Sequence, residues 1–254
     1  LAGAAAAASA AAAILAAPVH GGPGEAVEAA ACSPLRVATA NLYERNCCED
    51  ALWAALQAID ADLLATPELT PDMAGLKDRL SEAYPWAAFA EPTGTTARRL
   101  ALWSRWPMGE DAVLSAGPHP THVLARLRQG DGAELRAMAV HMGWPRSLLR
   151  RYGPTEDFER FREAFDGPTV VMGDFNAPPW GWAVRRVGEV AGAAAPSGWR
   201  PTWPGAAWGA AGRWLGLPID HVLASPDIAV RRIERFALPG SDHLSVVADL
   251  CLPG

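Results

Sequence analysis

The sequence predicts an α/β fold: two mixed β-sheets packed face to face with helices on the outside, a four-layer α/β sandwich. Three observations predict it. Short apolar, β-branched runs outnumber helical stretches, and many of them follow one another directly. A doubly wound parallel sheet would need a helix at each crossover, and the chain supplies only a few. Residues 35–254 are enough for one large domain with a well-buried core, and they contain no internal repeat.

The elements follow in order. Residues 35–42 read as a strand ending near Asn41. Leu52, Ala55, Leu56 and Ile59 have helical spacing, which predicts a helix over 49–59. Residues 62–66 form a second buried strand, ending at Pro67-Glu68. Thr70 then stands as N-cap and Pro71 in the first turn of another helix. Strands follow over 86–91, 99–104, 113–114, 123–127 and 135–140, the last ending in His141. Residues 146–165 are helical in pattern, broken near Gly153-Pro154, with Phe158, Phe161 and Phe165 on one side.

Residues 169–172 are a short β-branched apolar run and read as a buried strand. Gly173 lets the backbone turn as it emerges. Asp174 and Asn176 then lie two apart, on one face of an extended chain, with Phe175 turned into the core. Pro178 and Pro179 stop the strand. A helix over 177–190 follows, then a long Gly/Pro/Trp-rich loop over 191–217, of a length that is usually functional or mobile. Strands at 219–224, 228–238 and 244–250 complete the domain.

Ahead of the domain lie two further segments. Residues 1–17 are almost pure alanine and uncharged, and 18–34 are a Gly/Pro-rich linker. The chain opens on Leu, so the alanine run reads as the tail of a signal peptide or membrane helix, placing the protein at a membrane or outside the cell. Lys and Arg number 22 against 28 Asp and Glu, a net charge of −6, and Lys77 is the only lysine. This argues against a broad basic surface for duplex nucleic acid. The cysteines, Cys32, Cys47, Cys48 and Cys251, lack zinc-site spacing.

The polar residues at strand ends are Asn41, Glu68, His141, Asp174, Asn176, Asp220, Asp242 and His243. Each taken singly is an ordinary surface cap. Taken together they are acids, amides and imidazoles, with no Ser or Cys nucleophile suitably placed. Carboxylates and amides favour a hard cation such as Mg²⁺. A carboxylate can take a proton from water, and a His–Asp pair can polarise a phosphoryl oxygen. The residues therefore point to metal-assisted hydrolysis of a phosphate ester.

The motifs also resemble, in order and wording, those of the endonuclease/exonuclease/phosphatase superfamily, which shares the fold of pancreatic deoxyribonuclease. They are Arg36-Val37-Ala38-Thr39-Ala40-Asn41, Thr66-Pro67-Glu68-Leu69, Leu102-Trp103-Ser104-Arg105-Trp106-Pro107, Ala139-Val140-His141, Gly173-Asp174-Phe175-Asn176, Ile219-Asp220-His221-Val222 and Ser241-Asp242-His243. The likeness covers nearly the whole domain. It implies Mg²⁺, or Mn²⁺ in its place, on Glu68 with Asn41 and Asp242 nearby. It implies that Asp174 activates water, that Asn176 holds the phosphate, and that His243, oriented by Asp220, and His141 stabilise the transition state. The implied substrate is a phosphoester: nucleic acid, lipid headgroup or small phosphodiester.

The sequence departs from the family where Pro67 replaces a common Gln and where an Asn-Gly pair after Asn41 is missing. These departures weigh against DNA. The leader-plus-domain layout looks like bacterial members with membrane-associated N-termini, and the chain is expected to be a monomer. A second reading, a catalytically silent binding module, is disfavoured because every expected catalytic position is filled.

Two further expectations depend on this arrangement. If Asn41 and His243 meet at the site, counting back along antiparallel strands brings Cys32 and Cys251 together, within reach of a disulfide in an exported protein; two free thiols are the alternative. Trp180, Trp182, Trp199, Trp203, Trp208 and Trp214 are six of the eleven tryptophans and lie between two catalytic motifs. They would either wall the site mouth or pack their own loop on the sheet edge.

Overall fold

The computed structural model describes residues 32–91, 98–110, 112–114, 122–130, 132–143, 166–195, 200–204 and 216–253. The leader, most of the linker, the helix expected over 146–165, and Trp199, Trp208 and Trp214 lie outside them. Among the described residues no helix is long and apolar enough to cross a membrane.

The strands are β1 (Cys32–Thr39), β2 (Leu63–Leu69), β3 (Trp86–Ala90), β4 (Arg99–Ser104), β5 (Val113–Leu114), β6 (His122–Arg128), β7 (Glu134–His141), β8 (Thr169–Asp174), β9 (Asp220–Ala224), β10 (Ala229–Ala237) and β11 (Leu244–Pro253). The helices are α1 (Glu49–Ile59), α2 (Ala74–Ala83) and α3 (Trp182–Ala191). One sheet has the order β10-β11-β1-β2-β4-β3 and the other β5-β6-β7-β8-β9. Both mix parallel with antiparallel pairs: β1 with β2 and β7 with β8 are parallel. The expected sandwich is the observed one.

Period-two alternation builds the layers. Leu100 and Leu102 of β4, with Val37, Leu63, Val170, Met172 and Val222, face the other sheet and form the inter-sheet core. Ala101 and Trp103, the alternate residues, face α1 and α2 through Leu52, Leu56, Leu76 and Leu80. Val171 faces the opposite way from Val170, against Val184 and Val187 of α3. Helix, sheet, sheet and helix are thus stacked by the side-chain period.

Three local readings need correction. β1 starts at Cys32, so it takes in residues assigned to the linker. Thr70 precedes a 3₁₀ turn, Pro71–Met73, ahead of α2, and its hydroxyl makes no capping bond. The buried Thr70 Oγ1 has no hydrogen-bond partner among the described residues. The helix expected from 177 begins only at Trp182, because Gly181 N–H bonds Pro178 O at 2.7 Å and closes a turn first.

β1 and β11 are antiparallel, with Leu35 opposite Leu250 and Pro34 opposite Cys251. Cys32 and Cys251 are joined in a disulfide with Cα atoms 5.5 Å apart, within the range such bridges require. The bridge spans 219 residues of sequence, so it restricts the unfolded chain strongly. Reduction, or Cys251→Ser, is expected to lower the unfolding free energy by about 3–5 kcal/mol. Equal guanidinium midpoints for oxidised and reduced protein would contradict that.

Candidate active site

Strand register alone brings three of the predicted residues into one row. β7 and β8 pair with His141 opposite Asp174, and β8 and β9 pair with Asp174 opposite Asp220. Residues at the same register share a face. Gly173 sits beside this row because a Cβ there would overlap the Val140 carbonyl. Its role is close strand approach, not the turn expected from sequence.

The second sheet delivers the rest to the same end. Beyond β1 the chain continues to pair, with Ala40 N–H to Ala65 O at 2.9 Å and Leu42 N–H to Pro67 O at 3.0 Å. Asn41 is therefore held just past the strand end. β2 carries Glu68 at φ 62. Its register with β4 shifts between Thr66 and Leu69. Pro67 has no N–H to pair, and the resulting bulge re-aims Glu68. β11 runs antiparallel to β1, so Asp242 and His243, at its start, lie at the end of β1.

Hydrogen bonds then fix each side chain. Asn41 Nδ2 donates to Asp174 Oδ2 at 3.1 Å, and Asn41 Oδ1 accepts Tyr43 N–H at 3.0 Å. Asp174 Oδ1 accepts the Asn176 N–H at 2.8 Å. Asn176 has φ 48, so Asp174 and Asn176 are joined by an Asx turn and not by the extended chain expected. The Asn176 Nδ2 donates to Met142 O at 2.6 Å. His243 Nδ1 lies 2.9 Å from Asp220 Oδ2, and its Nε2 lies 3.9 Å from both Asp174 Oδ2 and Asp242 Oδ1. His141 Nε2 is 3.7 Å from Glu68 Oε1 and 4.0 Å from Asp174 Oδ2. All eight predicted residues are brought to one end of the sandwich. Glu68, His141, Asp174, His243 and Asp242 form a continuous line of such contacts.

Burial and crowding set the protonation states. Burial pushes the Asp174 carboxyl up to about 8, helped by nearby Asp220 and opposed by His243 and the bonds from Asn176 and Asn41. Burial opposes charge on His243, but Asp220, Asp174 and Asp242 outweigh it and hold the imidazolium up to about 10. Burial lowers His141 to about 4 despite Glu68. His243 is thus charged at neutral pH and His141 is neutral.

The donor set fits a hard divalent cation. Among the described residues Asp242 Oδ1 and Asp220 Oδ1 are buried without a hydrogen-bond partner, and such carboxylate oxygens are costly unless paired. Glu68 Oε1 and Asp174 Oδ2 both lie within 4.0 Å of His141 Nε2. Oxygen donors of this kind suit Mg²⁺ or Mn²⁺. Asp174, Asp220 and His243 offer three atoms within 4.8 Å of one another. That trio is a poorer cage, because His243 is held as an imidazolium and offers an ion no lone pair. Asn41 Oδ1 accepts the Tyr43 N–H, which turns its amide hydrogens to Asp174 and leaves the oxygen's second lone pair for an ion.

Several supporting residues carry weaker sequence signals. Thr202 Oγ1 accepts both Ile219 and Asp220 N–H at 3.1 Å. Trp203 Nε1 donates to Asp242 Oδ2 at 2.8 Å. Ser241 Oγ donates to Asn41 O at 2.7 Å and accepts His243 N–H at 3.0 Å. The Thr202-Trp203 pair stands within the long loop, so part of that loop positions the acids. Glu44 and Arg98, which contact Glu68, had no sequence signal.

A two-sheet α/β sandwich with a row of acids and histidines at one end has the architecture of a phosphoesterase or nuclease. The sequence matches the model of the endonuclease/exonuclease/phosphatase family over residues 38–243, and the chain belongs to that family. No curated protein matches it. Solved structures share the fold. An endonuclease/exonuclease/phosphatase family protein from Bacteroides thetaiotaomicron is 17% identical, with 88% of this chain and 99% of that one covered and a TM-score of 0.63. The beta toxin of Staphylococcus aureus, with bound magnesium ions, is 12% identical over 85% of this chain and 99% of its own, with a TM-score of 0.62. A 3′ phosphatase from Neisseria, bound to a product DNA hairpin, is 19% identical over 84% and 98%, with a TM-score of 0.60.

Proposed function

We propose that this chain is a Mg²⁺-dependent hydrolase of phosphate esters acting on a phosphodiester, at a membrane or outside the cell. The observation that supports it best is the hydrogen-bonded Asp220–His243 pair facing Asp174, with Glu68 and Asp242 beside it. Mg²⁺, when bound, supplies positive charge to the phosphoryl oxygens. Glu68 and Asp242 would hold it. Asp174, fixed through both oxygens and kept charged by a divalent ion bound beside it, would take the proton from the attacking water. Asn176 keeps one amide hydrogen free of Met142, and that hydrogen would meet the phosphate. Charged His243 donates to the developing negative charge, and neutral His141 donates beside it. No covalent intermediate with the protein is needed; positioning and charge do the work.

The alanine-rich leader and the Cys32–Cys251 bridge support export. The single lysine and the net charge of −6 favour a lipid headgroup or small diester over duplex DNA.

The test is hydrolysis of bis-p-nitrophenyl phosphate. Activity is expected with Mg²⁺ or Mn²⁺ and lost with EDTA. Sphingomyelin, phosphoinositides and plasmid DNA then form the substrate panel. Full activity in EDTA would end the metal reading, and no hydrolysis of any of the four would favour the silent binding module.

A further inference from the structure

We infer that Arg98 is a counter-cation for Glu68 that yields to the divalent ion and then contacts the substrate's phosphoryl oxygens. This rests on the metal reading above. Three residues form a closed ring. The Glu44 N–H donates to Glu68 Oε2 at 2.9 Å. Arg98 Nε donates to Glu44 Oε2 at 2.6 Å. Arg98 Nη1 lies 3.5 Å from Glu68 Oε1.

The two ends of the guanidinium are held unequally. The bond to Glu44 is short and the contact to Glu68 is at the limit of a hydrogen bond. Glu68 Oε1 is also the oxygen that faces His141 Nε2, which Asp174 Oδ2 approaches from its own side. An ion bound to that oxygen repels the guanidinium and takes over its neutralising role. Arg98 then keeps its tether on Glu44, while Nη1 and Nη2 are released towards the ion's phosphate. A planar fork of donors beside a metal-held phosphate fits two non-bridging oxygens. Glu44 is a positioning residue in this scheme: its backbone holds Glu68, and its carboxylate holds Arg98.

The scheme requires effects of opposite sign from one substitution. Arg98→Met keeps the apolar stem and removes the charge. It is expected to tighten Mg²⁺ binding about fivefold in calorimetry, the scale of a half-exposed ion pair. The same variant is expected to lower kcat/KM on bis-p-nitrophenyl phosphate by about tenfold or more. Arg98→Lys restores a charge without the fork, so its Mg²⁺ affinity should return towards wild type while its activity recovers only in part. A purely structural Arg98 would weaken both measurements together. If wild type shows no saturable Mg²⁺ binding, the metal reading fails and this one with it. If wild type binds but Arg98→Met binds no tighter, the role of Arg98 alone falls.

Discussion

Asp174→Asn is expected to lower kcat by about 10³-fold or more and to change the pH dependence of stability. Asp174 lies at the centre of the row with a carboxyl raised to about 8, first by burial and then by Asp220. A raised folded value means that the native state binds the proton more tightly than the unfolded chain does. The stability contributed is therefore present below the unfolded carboxyl value and is lost as pH rises through the folded one. In EDTA, the melting temperature of wild type relative to Asp174→Asn should fall between about pH 4 and about pH 8, then level off. Asparagine keeps an oxygen for the Asn176 N–H but cannot take a proton from water. A divalent ion beside Asp174 would favour its charged form, so Mg²⁺ should stabilise wild type more than the variant. A variant retaining most of the activity would remove Asp174 as the base. A wild-type melting curve in EDTA that tracks the variant at every pH would remove the crowding argument.

How far the site was legible in the sequence depends on the type of signal. Helix α1 fell on 49–59 and β4 on 99–104 because apolar spacing is a local property that burial then enforces. The sandwich followed from strands that succeed each other without crossover helices. The convergence of eight polar residues came from motif resemblance, and register explains it: His141, Asp174 and Asp220 are row-mates. What stayed hidden was backbone detail and long-range support. The left-handed turn at Asn176 and the bulge at Glu68 both break the extended chain. Neither leaves a periodic trace. The Thr202 hydroxyl, the Trp203 indole and the Glu44–Arg98 pair act across large sequence separations, where spacing carries no information. The family likeness puts Asn41 near the metal, and only the Tyr43 N–H shows which way its amide faces.

The pairing of Asp220 with His243 carries the second large effect. Burial alone would leave His243 neutral; Asp220 at 2.9 Å, backed by Asp174 and Asp242, holds it charged up to about 10. Thr202 supplies Asp220 with its orientation through the backbone N–H. Asp220→Asn keeps the shape but removes the charge that outweighs burial, so the imidazole should lose its proton near neutral pH. Transition-state donation then fails for most molecules, and kcat/KM at pH 7 is expected to fall by about 10²- to 10⁴-fold. The sign of the pH dependence separates this from simple misfolding. Wild type should show no loss from His243 until alkaline pH. The variant should regain activity as pH falls towards 6, because acid restores the proton that Asp220 no longer retains. His243→Gln has no proton to regain and should be uniformly slow across the same range. An Asp220→Asn profile parallel to that of wild type would show that His243 does not act through its charge, leaving Asp220 with only an orienting role.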